Sequence, residues 1–415
     1  MRNVFDQYQQ LENRLTHALA CSLDQDRSLL RLFLKRAGVN DIPKHARLEI
    51  VEQQLPGDDE SGLEGATGLP DVCIFDEDNG WAVLLESKLE AGLSNRQLIR
   101  HANTAKRRGY NRVHVIVISV DRHEARKFDC LTAVEWRDVY CWFRDAALSS
   151  AWARHFTEYV ETLETQMIEQ ENDLRGTLTK FDGFHFDADH PYTYREGRRL
   201  IKLMGDELQG RKDLCDLGVD PKGARRGAIT GRSGDSVWDF LPLSIAKHAS
   251  QFTDFPHLTM AIARTHLTAA VTVPNGVKGG FRKKLREREL VGFTSLIGEV
   301  HANLRRVLKH SPGSKAIAYV LQRHFPSQSS SGIVDARLNA NLETMIERSK
   351  SSVKHQPQWI ETIYHVLVAK RSNIQFGIEA RFPHECKTMR SERALDQFSK
   401  AWIALQPLIR YVTEG

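Results

Sequence analysis

The segment most informative about the fold of the first part of this chain is Leu69-Pro-Asp-Val-Cys-Ile-Phe-Asp-Glu-Asp-Asn-Gly-Trp-Ala-Val-Leu-Leu-Glu-Ser-Lys88. Two apolar runs, 72–75 and 82–85, are separated by the polar residues 76–80. Short apolar runs bounded by turn residues are typical of β-strands, and Asn79-Gly80 suits a type I′ turn. The stretch therefore predicts a β-hairpin.

The alternation of side chains along this hairpin places three charged groups on one face. Residues two positions apart share a face of a strand, so Glu86 and Lys88 point the same way. A two-residue turn at Asn79-Gly80 would set Asp71 opposite Lys88, and a four-residue turn would set it opposite Glu86. Both loop lengths are even, so in either case Asp71, Glu86 and Lys88 emerge together at one end of the hairpin.

The sequence on both sides of the hairpin predicts an α/β domain. Apolar spacing predicts two helices within residues 1–38 and a helix over 94–108, followed by a buried strand over 112–120. A strand, a helix and a second buried strand make a parallel βαβ crossover. A further helix contains Trp142 and Phe143, and a long helix covers 150–176.

Two carboxylates and one ammonium on a single face suit metal chemistry. Neighbouring carboxylates repel each other, and a hard cation between them relieves that repulsion. Mg²⁺ is commonly held by one or two carboxylates together with water and substrate phosphate. Asp71 and Glu86 are therefore predicted metal ligands, with the backbone carbonyl of Ser87 as a further oxygen. Lys88 would orient a water molecule and stabilise charge on phosphorus, although a solvated salt-bridge cluster would use the same residue types.

The pattern Pro70-Asp71, fourteen residues, then Glu86-Ser87-Lys88 resembles the PD-(D/E)xK nuclease superfamily, whose fold is that of restriction endonucleases. The resemblance covers about residues 5–145. It implies that Asp71 and Glu86 bind Mg²⁺ or Mn²⁺ and that Lys88 assists the attacking water. Many members add a glutamine on the next helix and a glutamate on the first core helix; Gln97 and Glu12 match these places and become candidate catalytic residues.

Basic residues favour a nucleic-acid partner. Six positive charges fall between Lys278 and Arg288, and Arg96 and Arg100 lie on the predicted helix that carries Gln97. Lysines and arginines that contact phosphates release counterions, which gives salt-sensitive binding. The predicted nucleic-acid contacts are Arg96, Arg100, Lys278, Arg282, Lys283 and Lys284. A solvated helix face is the usual role of a single charge run.

Composition narrows the remaining function classes. The chain has 415 residues, a net charge of +5 and six cysteines without a CxxC pair, which argues against a structural zinc site of four paired ligands. No apolar run reaches the length of a membrane span, and the N-terminus lacks the apolar segment of a signal peptide, so a cytoplasmic protein without membrane contact is expected. P-loop, GxSxG, HExxH and GxGxxG motifs do not occur.

The sequence predicts three regions along the chain. They are a nuclease-like core over 1–150, a linking helix over 151–180, and an α+β accessory domain over 181–415 that recognises nucleic acid, a partner or a ligand. Within the last region, 257–274 and 365–383 both predict hairpins, each followed by a helical stretch (289–308 and 391–412), in the manner of a distant ββα repeat.

The function expected from these features is a Mg²⁺- or Mn²⁺-dependent nuclease, with DNA favoured over RNA and endonuclease over exonuclease action. The family resemblance suggests bacterial defence against phage or foreign DNA, and a second copy of the chain or other defence proteins as partners. Two other functions fit the same sequence. One is a non-catalytic nucleic-acid-binding or scaffold subunit, and the other is an effector activated by a partner or a nucleotide ligand.

Overall fold

The chain folds into two compact units, Met1–Lys180 and Phe181–Gly415. The structure is a computed structural model, and it describes residues 5–53, 70–89, 94–120, 130–169, 177–225, 236–247, 252–278, 280–326, 332–346, 354–369 and 373–414. None of the helices in these ranges is long and apolar enough to cross a membrane. Each unit is built around its own sheet, and the two are described separately below.

The first unit contains a mixed five-stranded sheet flanked by helices. Its helices are α1 (Leu11–Gln25), α2 (Arg27–Arg36), α3 (Asn95–Arg107), α4 (Trp136–Ala146) and α5 (Ala151–Glu169). Its strands are β1 (Glu49–Glu52), β2 (Val72–Asp76), β3 (Trp81–Lys88), β4 (Arg112–Ser119) and β5 (Leu131–Glu135). The strand order is β1-β2-β3-β4-β5, antiparallel from β1 to β3 and parallel from β3 to β5. The predicted hairpin and βαβ crossover are both confirmed.

The hairpin turns through a four-residue loop. Asp76 pairs with Trp81, so residues 77–80 form the loop. The type I′ turn predicted for Asn79-Gly80 is wrong, because only Gly80 in this loop has a positive φ, of 55°. The Asp76 carboxylate instead accepts hydrogen bonds from the Asn79 backbone and side-chain amides, at 3.2 and 2.9 Å, which stabilises the longer loop.

This loop length fixes the register at the other end of the hairpin. Val72 pairs with Leu85, and the next position sets Asp71 beside Glu86. Of the two loop lengths that the sequence left open, the structure has the four-residue one. Asp71 and Glu86 lie on the same side of the sheet as Cys73 and Leu84, which pack against α3.

Helices cover both faces of the sheet. Helix α3 buries Leu98, Ala102 and Ala105 against one face. Helices α1, α2, α4 and α5 enclose a larger core on the other face. Helix α5 falls in the predicted linking segment; its side chains Phe156 and Leu163 are buried in this core, so it is part of the packing of the first unit.

Truncating Leu163 to alanine is expected to lower the free energy of unfolding by about 2–5 kcal/mol, because the lost side chain leaves a cavity in this core. Leu148 is fully exposed, at 100%, and provides a matched control. Leu148→Ala should change stability by no more than about 0.5 kcal/mol. Urea denaturation of the full chain measures both, and equal stabilities would show that α5 contributes nothing to the core.

The second unit is an antiparallel six-stranded sheet with helices. Its strands are β6 (Ser236–Leu241), β7 (His257–Ala263), β8 (His266–Val273), β9 (Lys315–His324), β10 (Ile333–Asn341) and β11 (Asn373–Pro383). Its helices are α6 (Tyr194–Gln209), α7 (Lys212–Leu217), α8 (Phe281–Leu308), α9 (Leu342–Ile346), α10 (Gln358–Val368), α11 (Arg393–Ala404) and α12 (Gln406–Thr413). The strand order is β10-β9-β11-β8-β7-β6. A mixed α+β second part is therefore confirmed.

One predicted hairpin of this unit is correct and one is wrong. Strands β7 and β8 form the hairpin expected over 257–274. Residues 365–383 instead contain the end of α10 and the single strand β11. Ile360, Ile363 and Leu367 are buried at helical spacing, so the apolar run before residue 369 packs as a helix face. The described residues therefore do not form the predicted ββα repeat.

Candidate active site

The five residues predicted to be catalytic come together at one end of the central strands of the first unit. Asp71 directly precedes β2, and Glu86 and Lys88 end β3. Gln97 lies in the first turn of α3, and Glu12 in the first turn of α1. Two strands and two helices therefore contribute side chains to a single cluster, although Glu12 and Lys88 are 76 positions apart.

Hydrogen bonds connect four of the five directly. The Lys88 ammonium donates to Glu12 Oε1 at 2.9 Å and lies 3.2 Å from Glu86 Oε1. The Gln97 side-chain amide donates to the same Glu86 Oε1 at 2.8 Å. Glu12 Oε2 accepts the backbone N–H of Leu89 at 2.9 Å. These bonds fix the orientation of both glutamates.

Asp71 is held by the backbone of the neighbouring strand. Its Oδ2 accepts the N–H of Ser87 at 2.7 Å. Ser87 is buried, so this bond anchors the carboxylate from the interior of the sheet. The carbonyl of Ser87, expected as a further metal ligand, stays a prediction.

Burial and repulsion from neighbouring carboxylates raise the pKa values of the two central carboxyls. Burial, followed by the nearby Asp71 carboxylate, raises the pKa of Glu86 to about 7. Burial also raises the pKa of Asp71, against the opposing effect of its bond from Ser87. Burial alone would lower the pKa of Lys88, but the carboxylates of Glu86 and Glu12 outweigh it and the pKa is raised. Lys88 is therefore held as an ammonium, a donor and not a base.

The cluster has the donor set of a divalent-cation site. Glu86 Oε1 receives both donors described above, whereas its Oε2 is buried without a hydrogen-bond partner among the described residues. Nε2 of the buried His101 lies 3.7 Å from this Oε2. Three carboxylates and one ammonium leave two uncompensated negative charges when all four are ionised. A buried acceptor and this charge excess fit Mg²⁺ or Mn²⁺ bound to Asp71 and Glu86.

The predicted nucleic-acid contacts lie in both units. Arg96 and Arg100 are exposed on α3. They line an open groove on the outer side of this helix together with Ile99, Asn103, Lys106 and Arg107, and Gln97 is not part of its lining. The other four lie at the start of α8, in the second unit. Lys283 is exposed, whereas Lys278 pairs with Asp254 at 2.8 Å and Lys284 donates to the carbonyls of Tyr411 and Glu414.

Arg282 is the least accessible of these cations. Burial, together with the neighbouring Arg286, lowers the pKa of Arg282. Its Nη2 donates to Asn275 Oδ1 at 3.4 Å, so the guanidinium is partly used in holding the turn before α8. Lys283 is the most accessible of the four basic residues near α8. Its side chain is highly exposed, and its ion pair, with Glu287 at 3.6 Å, lies within its own helix.

Sequence reasoning missed a second cluster of ligating side chains. His17 and Cys21 lie one turn apart on α1, and Glu52 ends β1. The i, i+4 spacing of His17 and Cys21 was a usable signal once α1 was predicted. Glu52 offered none, because β1 is only four residues long.

Comparisons with known proteins do not identify a family for this chain. No protein-family model matches the chain, and no curated protein matches it. The assignment of chemistry therefore depends on the geometry of the cluster and on the residue types in it.

Metal binding at this cluster is expected to be pH-dependent. The pKa of Glu86 is raised to about 7, and a metal binds the carboxylate form, so binding must release a proton below that pH. Mn²⁺ should therefore bind roughly tenfold more tightly at pH 8 than at pH 6. Isothermal titration calorimetry in buffers of different ionisation enthalpy measures both the affinity and the proton release. Equal affinities at the two pH values would contradict it.

Proposed function

We propose that this protein is a divalent-metal-dependent nuclease that hydrolyses phosphodiester bonds in DNA, with endonuclease action. The observation that carries the proposal is the convergence of Asp71, Glu86 and Lys88, with Gln97 and Glu12, from four separate elements. The mixed sheet flanked by helices supports a core of the PD-(D/E)xK, restriction-endonuclease-like type. The proposed setting, bacterial defence against phage or foreign DNA, derives from the family resemblance alone.

Asp71 and Glu86 would hold Mg²⁺ or Mn²⁺, with the carbonyl of Ser87 as a candidate third ligand. The Oε2 of Glu86, which is buried and has no hydrogen-bond partner among the described residues, supports this choice. When bound, the ion supplies polarisation of the phosphodiester and a lowered pKa for a coordinated water. The amide of Ser87 fixes Asp71, and the amide of Gln97 fixes Glu86, so both ligands are oriented in advance.

Lys88 is proposed to act on the attacking water and on the phosphate oxygens. Its ammonium is held between Glu12 and Glu86, with its side chain 17% exposed, so it faces both the cluster and solvent. A fixed cation stabilises negative charge as it develops on phosphorus. Glu12 acts as the positioning residue, because it binds the Lys88 side chain and the neighbouring backbone amide at once.

The exposed face of α3 supports a DNA substrate. Arg96 and Arg100 are exposed one turn apart on the helix that delivers Gln97 to Glu86. Neither has an acidic partner in the part of the chain that the structure describes. Phosphates bound there would contact the outer side of the helix whose first turn carries Gln97. Weaker binding at higher salt is expected from these contacts.

Cleavage of plasmid, linear duplex, single-stranded DNA and RNA tests the proposal. The assay needs Mg²⁺ or Mn²⁺, parallel reactions with EDTA, and Asp71→Asn as the inactive reference. Metal-dependent cutting of DNA by the unchanged chain and its loss in Asp71→Asn are expected, and relaxed or linear plasmid would indicate endonuclease action. No cutting, with salt-sensitive binding kept, would favour a scaffold. Cutting only after addition of cell extract would favour a partner-activated effector.

A further inference from the structure

A histidine, a cysteine and a glutamate meet where α1 packs on β1. The ligating atoms of His17, Cys21 and Glu52 all lie within 4.8 Å of one another. Glu52 pairs with Val72, and Val72 and Ile50 point to the face of the sheet that α1 covers. Asp71, one residue before Val72, points to the opposite face. The group is therefore separate from the cluster around Glu86.

Two of the distances between these atoms come within about half an ångström of those around a tetrahedral ion. His17 Nδ1 is 2.8 Å from Glu52 Oε1 and 3.7 Å from Cys21 Sγ. Zinc bonds of about 2.0–2.1 Å to nitrogen or oxygen and about 2.3 Å to sulfur imply ligand separations of roughly 3.3–3.6 Å in a tetrahedron. An ion would have to move Glu52 outward by about half an ångström, which a side chain at the end of an edge strand can accommodate.

The donor types select the metal. Imidazole, thiolate and carboxylate are together the ligands of Zn²⁺, whereas Mg²⁺ prefers oxygen alone. His17 is largely buried, at 9% exposure of its side chain, and Glu52 is 24% exposed. The exposed part of Glu52 therefore gives an ion a route from solvent to the site, and a water molecule from the same side would complete the coordination.

A neighbouring tyrosine holds two of the three ligands in place. The Tyr8 hydroxyl donates to Glu52 Oε2 at 3.4 Å. The edge of its ring packs on the His17 imidazole, with ring centroids 5.3 Å apart. Outer groups that orient metal ligands in this way raise the affinity of metal sites. The His17 and Glu52 ligands are thus positioned before any ion arrives.

We propose that His17, Cys21 and Glu52 bind a Zn²⁺ ion that joins α1 to β1. The ion would replace the direct contact between His17 and Glu52 with a bridge that also includes Cys21. Because α1 carries Glu12, a fixed α1 would fix the partner of Lys88 as well. The proposal does not depend on nuclease activity.

Cobalt substitution tests this site by a signal that only a thiolate ligand gives. Metal-depleted full-length protein is titrated with Co²⁺, and the thiolate-to-cobalt charge-transfer absorption is followed in the near ultraviolet. One equivalent of Co²⁺ should produce the band and Zn²⁺ should abolish it. Cys21→Ser should lose the band, whereas Cys141→Ser, a change at another half-buried cysteine of the same unit, should keep it. Asp71→Asn should also keep the band, because Asp71 belongs to the other cluster, whose proposed ligands contain no sulfur.

A second variant guards against a folding artefact. Glu52→Gln keeps the size of the side chain and should keep the band while weakening Co²⁺ binding by roughly tenfold or more. Zn²⁺ should raise the melting temperature of the unchanged protein and leave that of Cys21→Ser unaltered. Absence of the band in the unchanged protein, or its persistence in Cys21→Ser, would overturn the proposal and leave His17 and Glu52 as an ion pair.

Discussion

Replacing Lys88 by alanine is expected to lower the rate of metal-dependent DNA cleavage by roughly 10²–10³-fold. The ammonium is the only cation that the structure places within hydrogen-bond distance of both Glu12 and Glu86, among the described residues. Its loss removes the group that stabilises charge on phosphorus but leaves Asp71 and Glu86 able to bind metal. Initial rates on plasmid at saturating Mg²⁺, with Mn²⁺ affinity measured beside them, separate the two effects.

Lys35 is an exposed lysine of α2, outside the cluster, and Lys35→Ala serves as the matched control. It should cleave at the rate of the unchanged protein. Lys88→Ala should keep its affinity for Mn²⁺ within a few-fold. A variant at Lys88 that cleaves normally would exclude the assigned role, whereas a variant that fails to bind Mn²⁺ would show that Lys88 maintains the geometry of the ligands.

Replacing Glu86 by glutamine is expected to have opposite effects on cleavage and on stability. Cleavage should fall by roughly 10³-fold or more, because a neutral amide is a poor ligand for a hard cation. The metal-free protein should become more stable at pH 8 by about 1–3 kcal/mol, because a buried carboxylate beside Asp71 no longer has to ionise. Denaturation in EDTA and plasmid cleavage in Mg²⁺ provide the two measurements.

The stability gain should depend on pH in a defined direction. Burial and Asp71 raise the pKa of Glu86 from 4.5 to about 7, so the folded protein binds the extra proton between these values. The contribution of Glu86 to stability is therefore lost as the pH rises through that window. At pH 5 the variant and the unchanged protein should be about equally stable in EDTA. Glu77→Gln, at an exposed loop position, should have no pH-dependent effect, and a variant less stable than the parent at pH 8 would refute the assigned repulsion.

The side chains of the hairpin could be placed from the sequence because strand periodicity needs only local information. Residues two apart share a face, so Glu86 and Lys88 were fixed relative to each other, and both candidate loops were even in length. The loop itself could not be decided. Asn79-Gly80 favours a two-residue turn, but Asp76 bonds Asn79 and also accepts the backbone N–H of Arg47, a contact 29 positions distant.

The contributions of Glu12 and Gln97 were accessible only through the resemblance to a family. Helical spacing predicts which side of α1 is buried. It does not predict where along the sheet α1 packs, and therefore does not predict that Glu12 lies beside the end of β3. That position depends on tertiary packing between elements distant in the sequence. The same reason hid the group of His17, Cys21 and Glu52, since its third member lies on a short strand that its own residues do not predict.

The second unit shows where local pattern misleads. The consecutive apolar residues Val366, Leu367 and Val368 suit a strand, yet they end α10, whose buried positions begin at Ile360. The first turns of this helix, which begins at Gln358, precede residue 365 and so lie outside the segment predicted to be a hairpin. Strand β11 lies between β8 and β9 in its sheet. Both partners are distant in the sequence, so β11 does not form a hairpin with the segment that directly precedes it.

The bond between Glu12 and Lys88 also makes the proposed activity dependent on the completion of folding. Until α1 docks, the Lys88 ammonium has the Glu86 carboxylate but not that of Glu12 as a partner, and the N–H of Leu89 lacks its bond to Glu12. A chain still leaving the ribosome, or one cut by a protease behind α1, holds the carboxylates and the lysine without their fixed arrangement. Under the proposed nuclease activity, cleavage would therefore begin only once α1 has docked against the end of β3.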